Sequence, residues 1–150
     1  MTILISRHFR CLAVLCFFTV TMIQGTAIAE WDQRLAAIEA GSKTYYRFCS
    51  ICHGVTAKGD GLFRENLVTM PPDLTLLAQA NNGDFPWLEL YEVIDGNSTH
   101  RAHGTSEMPI WGNQFNLRNW ASGQSEFADV IVRGRIFELL VYLQSIQQYN

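Results

Sequence analysis

Apolar positions in the stretch 31–49 recur at three-, four- and seven-residue steps through Trp31, Leu35, Ile38, Tyr45 and Phe48. This spacing predicts an amphipathic helix that delivers Cys49 at its C-terminal end. The pattern then breaks. Residues 53–73 hold Gly54, Gly59, Gly61 and the pair Pro71-Pro72, which predicts an irregular loop. Asp73 or Thr75 is placed to cap a short helix running to about Gln79, and Asn81-Asn82-Gly83 closes it. A third helix has Asp84 as N-cap, Pro86 in its first turn, an apolar face of Trp87, Leu90, Tyr91 and Ile94, and Gly96 at its end. Over 97–123 the periodicity is lost among Gly, Asn, Ser and Trp, which predicts a long loop with room for one helical turn. Helical spacing returns over 125–148 through Phe127, Val130, Ile131, Phe137, Leu140 and Val141. Gly134 costs that helix roughly 1 kcal/mol relative to Ala, so a bend or a close packing contact is expected there. Val130-Ile131-Val132 alone permits a strand, but no second strand is evident to pair with it. The chain reads as all-α.

Residues 1–29 change the picture of what folds. Arg7 and Arg10 precede an uncharged apolar run over 11–23, and Ala27-Ile28-Ala29 has the small-x-small form of a cleavage site. The segment resembles a secretory signal peptide whose removal leaves Glu30 first. Its apolar run falls short of the roughly 18 to 20 residues that span a bilayer, so cleavage is expected rather than stable membrane insertion. Cys16 follows Leu15 rather than a small residue, which argues against lipidation. Residues 30–150 then fit one domain without repeat or linker. Without Arg7 and Arg10, nine Lys and Arg face fourteen Asp and Glu, for a formal charge of −5. That balance argues against nucleic acid, and a partner steered by charge would present a basic patch.

Cys11 and Cys16 leave with the first segment, so Cys49 and Cys52 are the only cysteines remaining. They stand in the run Cys49-Ser50-Ile51-Cys52-His53. Two thiols at this spacing can add to the two vinyl groups of a haem, and the adjacent imidazole then becomes the proximal iron ligand. A sixth ligand of thioether type keeps such an iron closed and favours its ferrous state. Beyond residue 29 the chain offers Met70 and Met108, and each precedes a proline. Met70 is 17 residues past His53, a span that must also hold the Gly-rich loop, whereas Met108 is 55 past it and beyond a helix. The spacing favours Met108 and leaves Met70 as a gap-filler.

Taken together these residues resemble a class I c-type cytochrome over most of 41–146. Gly41 and Tyr45 match the family's first helix, where a small residue and an aromatic cross the last helix, here near Leu139 and Tyr142. The stretch 54–61 and the run Pro71-Pro72-Asp73-Leu74 resemble the loop of bacterial members, and Met108-Pro109-Ile110-Trp111 resembles the distal-ligand loop. The resemblance implies an all-α, cytochrome c-like fold of about four to five helices around one covalently attached haem c. Cys49 and Cys52 would carry it, with His53 as proximal and Met108 as distal iron ligand. Pro72 or Pro71 would accept the imidazole hydrogen bond, and Trp111 or Trp120 is a candidate propionate donor. Arg101 and Arg118 are candidates to pair with the same carboxylates. The implied function is periplasmic transfer of single electrons between redox partners, without catalysis of its own. A dedicated haem subunit of a membrane or periplasmic dehydrogenase or oxidase complex is the alternative, as is a haem sensor with a labile distal site.

The sequence departs from that pattern in two places. Lys43 and Lys58 are the only lysines, so the lysine-rich docking face of mitochondrial relatives is absent. His100 and His103 stand in the distal loop, where either would give a bis-His site of lower potential. With Cys49 and Cys52 they also form a nominal zinc set, although their spacing is short for one and His53 is left unused. A thiol oxidoreductase would place its Cys-x-x-Cys beside a βαβ pattern that is missing. Trp87, Trp111, Trp120, Phe63 and Phe115 are expected first as core.

Overall fold

The computed structural model describes residues 30–96, 108–121 and 127–148, with the backbone alone over 117–121. The compact unit that holds the site runs from Ala37 to Asn150, and residues 30–36 belong to a separate unit. Helix α1 covers 30–48 and is followed by α2, a single turn over Ser50–His53. A 3-10 turn over Arg64–Asn66 and the one-turn α3 over Leu77–Ala80 punctuate the loop. Three longer helices follow: α4 over Trp87–Asp95, α5 over Trp111–Ala121 and α6 over Ala128–Ser145. No strand occurs among the described residues. The fold is all-α, as the periodicity predicted.

Helix α6 is the centre of the core, with α4 and α5 packed on it. Ile136, Leu139 and Leu140 of α6, Tyr45 of α1 and Phe115 of α5 are the largest fully buried side chains. Helices α1 and α6 meet at Gly41, where a Cβ would overlap the Glu138 carbonyl oxygen and lie 2.8 Å from Tyr142 Cβ. One turn further on, the rings of Tyr45 and Tyr142 lie 5.4 Å apart. A missing side chain thus lets two helix backbones touch, beside the end of α1 that leads into Cys49.

Several expectations change in detail. Trp31 and Leu35 are mostly exposed, so only the later part of the first apolar face is core. Pro86 rather than Asp84 is the N-cap of α4, while Gly96 closes it in the left-handed conformation at φ 91°. The loop expected over 97–123 contains the eleven-residue helix α5. Gly112, Asn113 and Asn116 are poor helix formers, so propensity gives α5 little support. It is held by tertiary packing: Phe115 is buried, its ring 5.4 Å from that of Phe48, and Arg135 of α6 sits 5.1 Å over the same ring. Gly134 is not a close contact, because a Cβ there would meet nothing within 4 Å, and α6 runs through it without interruption. Gly134→Ala should therefore raise stability by about 1 kcal/mol, read as a higher urea midpoint at unchanged slope. An unchanged or lower midpoint would contradict an open surface at that position.

Candidate functional site

The Cys-x-x-Cys-His run continues α1 almost without interruption. Cys49 N–H donates to Tyr45 O at 2.8 Å and His53 N–H to Cys49 O at 2.9 Å, so the motif is wound as a turn rather than extended. The buried Tyr45 hydroxyl donates to Gly54 O at 2.6 Å, tying the end of that turn back to the helix. The following loop folds over the motif and satisfies its carbonyls: Gly59 N–H donates to His53 O, Gly61 N–H to Cys52 O and Phe63 N–H to Ile51 O. Gly59 is required twice, by its φ of 76° and because a Cβ would overlap the Pro71 carbonyl oxygen. Leu74 N–H donates to Ala57 O at 2.7 Å, which fixes the proline pair beside the motif.

The far side of this loop is clamped by the C-terminal segment. Gln147 Oε1 accepts from Ala78 N–H at 2.9 Å, while its Nε2 donates to Leu74 O at 2.7 Å and Leu143 O at 2.8 Å. Asp73 closes a local turn by accepting from both the backbone and the hydroxyl of Thr75.

These constraints frame one cavity of about 310 Å³, within the range of pockets that take cofactors. Cys49, Cys52, His53, Met108 and Trp111 all line it, together with Met70 and both Pro71 and Pro72. Its remaining walls come from Tyr45 and Phe48 of α1, Leu90 and Ile94 of α4, and Leu139 and Leu143 of α6. The lining is largely apolar, with His53, Tyr45, Thr69 and Glu89 as its polar members besides the two thiols. The two methionines differ in setting: Met108 is half-buried and packs against the core, whereas Met70 is 54% exposed. Trp111 stacks in a group with Phe48 and Phe115 at ring distances of 5.6 and 5.7 Å.

Both cysteines are free thiols. Burial, and then the nearby Cys52, pushes the Cys49 thiol up to about 12 from an ordinary 9.0, and burial raises Cys52 as well. Half-buried thiols with raised pKa are the wrong sign for a redox nucleophile, which needs a depressed pKa, and no strand supplies the βαβ setting among the described residues. Neutral thiols, an imidazole and a thioether around an apolar cavity fit a haem, whose porphyrin needs dry walls and whose attachment consumes S–H groups.

His100, His103 and Arg101 lie outside the described residues, as do residues 1–29 and the side chains of Arg118 and Trp120. The alternatives resting on them belong to sequence alone. No group of three or more His, Cys, Asp or Glu is placed to hold a metal ion by itself among the described residues, and no described helix is long and apolar enough to cross a membrane. Of the aromatic residues expected as core, Phe115 is buried, while Phe63 is nearly half exposed. Trp87 packs away from the cavity, stacked 5.9 Å from Phe137. Sequence reasoning missed Glu89, Val93 and Leu143 as cavity residues; the apolar face of α4 was the available signal for Val93 alone. Among known proteins, no family model, no curated protein and no solved structure matches this chain.

Proposed function

We propose that the protein is an exported monohaem c-type cytochrome that carries single electrons between redox partners. The observation that supports this most is the convergence of Cys49, Cys52, His53 and Met108 on one apolar cavity, although Met108 is 55 residues from the motif. Cys49 and Cys52 would hold the haem c through thioether bonds, and His53 and Met108 would ligate its iron. When bound, the haem supplies the one-electron chemistry. The chain's part is to exclude water with Phe48, Leu90 and Leu139, and to fix the imidazole beside Pro71 and Pro72. With His53 and Met108 both on the iron, no open position would be left there for a substrate. Export rests on residues 1–29, which support the reading by sequence alone.

An optical spectrum of the protein expressed with haem-maturation machinery tests this. The ferric form should show the weak near-infrared band of sulfur-ligated iron, lost in Met108→Ala and kept in Met70→Ala. Loss in Met70→Ala instead would transfer the distal role to Met70, which lines the same cavity. Haem attachment without the band in the native chain would favour His100 or His103, or a sensor with a labile site.

A further inference from the structure

Helix α4 turns one stripe toward the cavity. Glu89 and Val93, and beside them Leu90 and Ile94, are pairs four residues apart on one helix face, and all of them line it. Leu90, Val93 and Ile94 are the dry wall that a porphyrin needs, and Glu89 breaks the stripe. It stands in the first turn of α4, one turn before Val93, and it is exposed, so its carboxylate sits where the cavity meets solvent.

Glu89 is the only carboxylate in the lining. Glu92 and Asp95, the other carboxylates of α4, do not line the cavity, and Asp95 lies against Gly112 of α5 instead. Neither lysine nor arginine lines the cavity, and among the described residues none pairs with Glu89. An exposed carboxylate is ionised at neutral pH, and the first turn of a helix favours that charge. The cavity mouth thus carries a fixed negative charge that no described cation offsets. A ferric iron has one positive charge more than a ferrous one, so a nearby carboxylate favours the ferric state. Apolar walls and a thioether ligand favour the ferrous state. The two act in opposite directions on the same equilibrium.

We propose that Glu89 sets the reduction potential: its carboxylate, held at the cavity mouth by α4, stabilises the ferric state and offsets part of the ferrous preference created by the apolar lining and Met108. This rests on the electron-carrier reading and adds to it the residue that adjusts the driving force. The effect is one of charge, so it scales with the charge at position 89, and because the group is exposed it weakens as salt is added. At about 8 Å, the width of a cavity of this volume, and an effective dielectric of about 40, one charge is worth about fivefold in an equilibrium constant.

The test is a spectroelectrochemical titration of the haem-loaded protein against a soluble mediator of fixed potential, at low ionic strength. Glu89→Gln should shift the equilibrium toward the ferrous form about fivefold, and Glu89→Lys about 25-fold, the second variant changing the charge by twice as much. Glu92→Gln makes the same charge change on the same helix away from the cavity and should shift it less than about twofold. At high ionic strength the Glu89→Gln shift should shrink to about half or less. The near-infrared band should be the same in every variant, which separates a change of field from a change of ligand. A Glu89→Gln shift no larger than that of Glu92→Gln, or one toward the ferric form, overturns the assignment and leaves the carrier reading standing. Equal shifts in Glu89→Gln and Glu89→Lys do the same, since they mark altered packing rather than charge. Failure of the native chain to attach haem overturns both.

Discussion

A Cys49→Ser/Cys52→Ser chain expressed with haem-maturation machinery will carry no covalent haem: its denatured band will show no haem stain, and its mass will be that of the polypeptide alone. Loss should be essentially complete, because thioether formation needs a sulfur at each position and a serine hydroxyl does not replace it. Retention of a covalent haem would remove the central claim. The single variants separate the two thiols, each leaving at most one bond to the porphyrin. The haem-free wild-type chain provides a second readout through its titration. The unfolded chain gives up the Cys49 proton near the ordinary 9.0, whereas the folded chain holds it to about 12. Stability from that difference is fully present below pH 9 and is lost as pH rises toward 12. The double serine variant lacks this loss, so its unfolding midpoint should fall less steeply over that range.

Gly41→Ala will destabilise the protein by about 3 kcal/mol, although the same substitution at Gly134 stabilises it. The added Cβ lands on the Glu138 carbonyl oxygen, which is helix backbone and cannot turn aside as a flexible side chain would. Helices α1 and α6 must separate, and the Tyr45 and Tyr142 rings lose their 5.4 Å packing. For a domain of this size the expected fall in melting temperature is roughly 15 °C. Equal melting temperatures for wild type and Gly41→Ala would show that the two backbones do not meet there.

These contrasts show what was legible in the sequence. Local punctuation was: Gly96 ends α4 through a conformation that glycine adopts without strain, and the glycines of 54–61 break the helix into a loop. Helix α5 was not, because Trp111 and Phe115 are too short an apolar pattern within Gly112, Asn113 and Gln114 to signal a helix. Its reason for being helical lies in Phe48 and Arg135, which reach it from other elements. Gly134 and Gly41 look alike as helical glycines, and only the position of the neighbouring helix separates an open surface from a contact. In the cavity, Met108 was nominated by its spacing from His53, Met70 lines it as well although the same spacing left it as a gap-filler, and Leu143 and Glu89 carry no local mark of facing it.

The Gln147 clamp bears on the order in which the cavity closes. Its bonds to Leu74 and Ala78 join residues 73 and 69 positions apart, so they form only after nearly all the chain is available. A polypeptide that emerges from its N-terminus has the Cys49 to His53 turn and its glycine loop, made from local bonds, long before Gln147 arrives. Both thiols are then presented on a formed turn while Leu74 O and Ala78 N–H still lack their Gln147 bonds. Gln147 is thus a late bolt across Leu74 and Ala78, and the proposed haem would have time to enter before it closes.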